Sequence, residues 1–216
     1  MAAGSQAYGV VSIPTPADIP TPAPGTTSAL VGWDVDGGGA DFNFQFRFPN
    51  VSTGTGVRWQ SNMNPVASSA TGNAVVGFAG PFISYATNQA FGTLIGATPP
   101  AGSSFRTATQ VTLGSVYVSG GVASAYGGFG NGAPSGGATP NGIQQAEGYV
   151  GFRVGTGATA RYGWLQLRTN TTFGIDFIAA ALGDVGETVE AGIVPEPASL
   201  GLLAVGAAAL LRRNKK

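Results

Sequence analysis

The sequence predicts an all-β protein: a β-sandwich of jelly-roll type with long Gly-rich loops, followed by a short C-terminal apolar helix. Three observations carry that expectation. Residues 41–48 alternate without a break, with Phe42, Phe44, Phe46 and Phe48 on one face and Asn43, Gln45 and Arg47 on the other. That period of two marks a half-buried strand. Turn formers punctuate the chain, 36 Gly and 14 Pro in 216 residues, just under the roughly 25–30% that marks a low-complexity chain. Finally, no long amphipathic helical pattern occurs before Pro195, and short strands joined by Gly/Pro-rich turns build sandwiches and barrels.

The elements follow in order. Residues 1–25 read as a residual export and linker segment. Its first seven residues lack the positive start and apolar stretch of a signal peptide. Ser5-Gln6-Ala7 nevertheless suits the small-x-small pattern before a signal-peptidase cut, so maturation is expected after Ala7, within a longer leader. Residues 13–24 carry five prolines and favour an extended segment, a spacer or an edge segment. The β-domain is expected over residues 26–193, starting near Thr26. Strand signals fall at 29–34, 41–48, 56–60, 74–78, 82–85, 111–118, 147–154, 160–168 and 173–180. Residues 120–142 hold nine glycines in 23 positions and read as a long surface loop. No Lys follows those glycines and no helix opens after them, so they do not form a phosphate cradle.

Composition excludes much chemistry. The chain has no His and no Cys. It therefore has no side chain titrating unperturbed near neutrality, no Ser-His-Asp triad, no imidazole or thiolate metal ligand and no disulfide. Ten basic and ten acidic residues balance, but the balance conceals a mildly acidic body with a basic tip. The first Lys is Lys215, and no basic body invites nucleic acid. Glycoside hydrolysis needs two carboxylates held roughly 5–10 Å apart. Glu147, Asp176, Asp184, Glu187 and Glu190 are available, but nothing in the sequence singles out a pair. No enzymatic activity is expected.

Residues 194–216 are the most informative segment. Val194, Pro195, Glu196 and Pro197 precede fourteen residues, 198–211, that are apolar on every side of a helical wheel except at Ser199. Such a helix wants lipid or full burial. Pro is accepted in a first helical turn and not inside, and basic residues after an apolar helix stay on the cytoplasmic side. Fourteen residues rise only about 21 Å against a hydrocarbon core of roughly 30 Å, a length that also suits a helix docked on the body.

The order of these parts closely resembles the bacterial PEP-CTERM sorting tail, with Asn214 within the basic cluster as the one departure. The resemblance implies export and transient inner-membrane retention by a transmembrane helix containing Leu200, Leu202, Leu203, Val205, Leu210 and Leu211. Arg212, Arg213, Lys215 and Lys216 would form the basic stop. It further implies recognition at Pro195-Glu196-Pro197 by an exosortase-type membrane protease, then release or reattachment at the cell surface, often alongside exopolysaccharide. Residues 147–192 add a second likeness. Gly148-Tyr149-Val150-Gly151-Phe152-Arg153-Val154, then Tyr162-Gly163-Trp164 and Glu190-Ala191-Gly192, resemble the strands that precede this tail in many such surface proteins.

Two further sites stand out. Asp34, Asp36 and Asp41 bracket Gly37-Gly38-Gly39, and alternate carboxylates on a bending chain can wrap Ca²⁺. The segment resembles D-x-D-G-D-G-x-x-D-F calcium loops, but Gly38 replaces the third Asp and the loop is one residue short. A calcium site needs six or more oxygens, so three carboxylates make a weak one, and the alternative is a turn whose acids favour the bend. Most aromatics of a sandwich are core; Trp59, beside Arg58 and a polar loop, is the best candidate for stacking on a glycan, whereas Trp164 reads as core. The expected protein is thus a non-enzymatic exported surface or matrix protein. The alternatives are a carbohydrate-binding module or a weakly calcium-stabilised adhesin.

Overall fold

The computed structural model describes residues 10–20, 22–23, 25–48, 56–66, 72–80, 83–119, 122–129, 139–140, 147–169 and 174–194. Strands dominate: β1 (Val11–Ser12), β2 (Thr26–Thr27), β3 (Val31–Trp33), β4 (Phe42–Phe48), β5 (Gly56–Pro65), β6 (Ala74–Ala79), β7 (Ser84–Ala86) and β8 (Leu94–Ile95). They continue as β9 (Ser104–Arg106), β10 (Val111–Ser119), β11 (Val122–Tyr126), β12 (Thr139–Pro140), β13 (Glu147–Val154), β14 (Arg161–Thr169), β15 (Ile175–Val185) and β16 (Val189–Glu190). One 3-10 turn, Gly157–Thr159, precedes β14.

The all-β expectation holds, but the arrangement differs from two separate jelly-roll sheets. Among the described residues fourteen strands form one curled sheet: ten run in the order β1-β15-β14-β13-β6-β7-β10-β5-β4-β2, β3 branches from β4, β9 from β6 and β11, followed by β12, from β10, and β16 pairs with β8 apart from the sheet. The physical reason lies in the middle of that order. The antiparallel pair β6–β13 and the parallel pair β7–β10 join the two halves by backbone hydrogen bonds. Curling then lays the two ends face to face. Trp33 and Phe42 meet Phe152 with centroids 5.2 and 5.4 Å apart, and Phe44 meets Phe177 at 4.7 Å. The main core therefore has the packing of a sandwich inside a single sheet.

Phe42, Phe44 and Phe46 of β4 are buried as the alternation predicts, while Asn43 and Gln45 are half-buried and Arg47 is exposed; the Phe48 side chain lies outside the described set. β14 lacks a clean polar face for a different reason: both of its faces are covered. Leu165 and Leu167 enter the main core, whereas Tyr162 and Trp164 enter a second cluster with Val76, Ile95, Ala181, Val189 and Ala191. A strand covered on both faces reads as a continuous apolar run. Trp164 is core, as expected.

One stretch differs from the sequence reading, and for another the structure shows which of two readings applies. Part of the Gly-rich segment expected as a loop is strand: β11 pairs with β10 from Ser115↔Tyr126 to Ser119↔Val122, and Phe129 is fully buried. Small alternating residues pack there as a hairpin where glycine content suggested a loop. The Pro-rich segment packs on the domain in its described part, as an edge segment. β1 pairs with β15, Ile19 bridges Ile175 and is only 2% exposed, and Phe177 N donates to Asp18 Oδ1 at 2.8 Å. The Trp33 indole N–H also donates to the Pro14 carbonyl at 2.8 Å. Prolines suit such an edge because they need supply no ladder N–H.

Candidate functional site

The chain leaves the domain through the small β8–β16 ladder. Val189 pairs with Ile95 and Glu190 with Leu94. Beyond the strands, Ala191 N donates to Thr93 O at 2.9 Å and Gly92 N to Ala191 O at 2.8 Å. Ile95 and Val189 point inward, whereas Leu94 and Glu190 are exposed. Gly192 sits at φ +82, and a Cβ there would lie 2.6 Å from both the Phe91 ring and the Tyr149 hydroxyl oxygen. Only glycine fits that bend at low cost, so the exit direction is built into the body. Val194 is exposed at the end of this segment.

The acidic loop lies elsewhere, between β3 and β4. Asp34, Asp36 and Asp41 bring one carboxylate oxygen each within 4.8 Å of one another. Local turn chemistry explains much of that convergence. Asp34 accepts from the backbone N–H groups of Gly37 (2.7 Å) and Gly39 (3.1 Å), and Asp36 from Gly38 (3.0 Å). These are Asx-type bonds made by acids in glycine-containing turns. Asp41 is buried; it accepts from Val35 N at 2.9 Å and from Asn73 Nδ2 at 2.9 Å. Burial pushes its carboxyl pKa above the ordinary value, the two hydrogen bonds oppose that rise, and the charges of Asp36 and Asp34 add to it. Asn73 in turn accepts from Gly155 N at 3.0 Å. An open cleft of about 430 Å³ runs from Asp36 and Asp41 past Asn73 to Thr156 and Thr159.

A family model described as the PEP-CTERM protein-sorting motif matches residues 194–216. The chain carries a PEP-CTERM sorting motif. Such a motif implies an exported protein that passes through the membrane to the cell surface and is processed by exosortase, itself a membrane protein. No curated protein and no solved structure matches the chain.

In the PEP-CTERM match, Val194 is the last described residue. Pro195, Glu196 and Pro197, the apolar positions from Leu200 to Leu211, and the basic residues from Arg212 to Lys216 lie outside the described residues, as does the expected C-terminal helix. Among the described residues no helix is long and apolar enough to cross a membrane. Trp59 lies in β5 with its backbone opposite Val116, and its side chain is outside the described set. Of the scattered carboxylates, Asp176 forms an ion pair with Arg168 at 3.1 Å. Glu147 accepts from Gln166 Nε2 at 2.9 Å, and Glu187 accepts from Asp184 N at 2.8 Å.

Sequence reasoning overlooked two features of these sites. Asn73 clasps the acidic loop from a position 32 residues away, and no local pattern announces such a partner. Phe91 and Leu94 also flank the exit of the sorting tail. Leu94 lies in β8, which is two residues long and too short for alternation to reveal it, and Phe91 lies in the turn before it.

Proposed function

We propose that this chain is a non-enzymatic protein of the bacterial surface or extracellular matrix. It is retained in the inner membrane by residues 198–211, processed at Pro195-Glu196-Pro197, and then works beside exopolysaccharide. The observation that carries the reading is the PEP-CTERM match at 194–216, directly after a β-rich body. A chain without His or Cys also lacks the side chains most used for proton transfer and nucleophilic attack at neutral pH. Replacing Glu196→Ala together with Pro195→Ala in an exosortase-bearing host tests it. The variant is expected to accumulate uncleaved in the membrane fraction. Release to the surface or medium at the wild-type level would overturn the reading.

A second reading, a weakly calcium-stabilised adhesin, is favoured by the convergence of Asp34, Asp36 and Asp41. A ligand that binds only the folded state raises its melting temperature by mass action. Calcium near the millimolar range typical of extracellular sites should then raise Tm for wild type and not for Asp36→Asn. An equal response in the two proteins, or no response in either, would remove this reading.

A further inference from the structure

We propose that the end of the domain bearing Phe91 and Leu94 rests on the lipid surface while the tail is embedded, so that the body is held upright on the membrane. The inference rests on the retention reading above and adds which face meets the bilayer.

Phe91 is 67% exposed and Leu94 58%, two of the largest exposures among the apolar side chains of the described residues. Both belong to the segment that is hydrogen-bonded to residues 189–191, the last ladder before Val194. The Phe91 ring also packs edge-on to Tyr149, at 6.4 Å between centroids, and against Gly192. From Val194 only Pro195, Glu196 and Pro197 intervene before the apolar run begins at Ala198. Four Cα steps span at most about 14 Å, and two of the intervening residues are prolines that restrict the path. So short a tether keeps this end of the domain nearest the lipid.

The apolar run strengthens the argument by being short. As a helix its fourteen residues would rise about 21 Å and underfill a hydrocarbon core of roughly 30 Å, and a short span draws its flanks toward the bilayer or thins it. Phe91 and Leu94 supply apolar surface at the flank. Two side chains are too few to hold a soluble domain on a membrane unaided. The tether changes this, because it makes the contact intramolecular at high effective concentration. Glu190, exposed and directly opposite Leu94, and the exposed Glu147 make zwitterionic rather than anionic lipid the fitting surface. The acidic loop then faces away from the membrane. Asn73 ties it to Gly155, just past the far end of β13, about 20 Å by strand rise from Tyr149.

The absence of native Cys permits a direct test. Full-length Phe91→Cys, Leu94→Cys, Ala158→Cys and Ala204→Cys would each carry an environment-sensitive dye, in vesicles of phosphatidylcholine and phosphatidylethanolamine with iodide as aqueous quencher. Positions 91, 94 and 158 are exposed, and an unchanged urea midpoint confirms that each variant is folded. The expected result is severalfold weaker quenching at 91 and 94 than at 158, with 204 protected as well. Equal quenching at 91, 94 and 158 with 204 protected would overturn the proposal and leave membrane retention standing. Open quenching at 204 would overturn both. Protection at 91 and 94 that is already complete without vesicles would mean that the tail or a second copy covers the patch, and would also overturn it.

Discussion

Asp41 shows how much one buried acid sets locally. Its carboxylate ties Val35 to Asn73 across the base of the loop, yet burial holds its pKa above the ordinary value of an aspartate. The folded chain therefore keeps this proton to higher pH than the unfolded chain does. Stability from this group is present below the unfolded value and is lost as pH rises through the folded one. The unfolding free energy of wild type relative to Asp41→Asn should accordingly decrease between about pH 3 and pH 7, as read from urea melts. A difference that is flat or rises with pH would contradict the assignment. Gly163 offers a steric counterpart. A Cβ there would lie 2.3 Å from the Phe152 ring and 2.5 Å from the Ala181 carbonyl oxygen, so Gly163→Ala should cost about 1–3 kcal/mol by overpacking, seen as a lowered denaturation midpoint at unchanged slope. The acids of the loop were legible in sequence because Asx bonding is local. Asn73 was not, because its contact with Asp41 joins the β3–β4 loop to the residue before β6, 32 positions on, and exists only in the folded sheet. Nor does a glycine in a Tyr-Gly-Trp run reveal which ring lies against it.

Among the elements, β4 was read correctly from sequence because one of its faces is buried and the other is largely polar. Truncating Phe44→Ala removes a fully buried ring that packs on Phe177 and should cost about 3–5 kcal/mol, measured by equilibrium unfolding. β14 was harder to read, since burial on both faces erases alternation. The N-terminal segment was harder still. Its prolines signal extension correctly, but extension suits a free spacer and a docked edge alike, and only the bridge from Ile19 to Ile175 decides between them. Ile19→Ala should therefore cost about 2–5 kcal/mol, as a core truncation does. An effect within the roughly ±0.5 kcal/mol of surface substitutions would show that the segment is not part of the cooperative unit. β8, β9 and β16 are two or three residues long and carry no periodicity to read. β9 is held by its pairing with β6, and β8 and β16 by each other and by the second core cluster that Ile95 and Val189 join.

At the scale of the whole molecule, the curled sheet separates two ends. One bears the acidic loop and its cleft; the other bears Phe91, Leu94 and the exit at Val194. The sorting tail was legible from sequence because its order of prolines, apolar run and basic cluster is linear and does not depend on tertiary contact. The single continuous sheet was not legible, because register between distant strands leaves no local mark. Processing at the tail ties these scales together, and intact mass with C-terminal peptide mapping of native protein from cell-surface and medium fractions tests it most directly. The account predicts a product whose last residue falls at or beside Pro195–Pro197 and which lacks the apolar run. A surface product that still ends in Lys216 would contradict it.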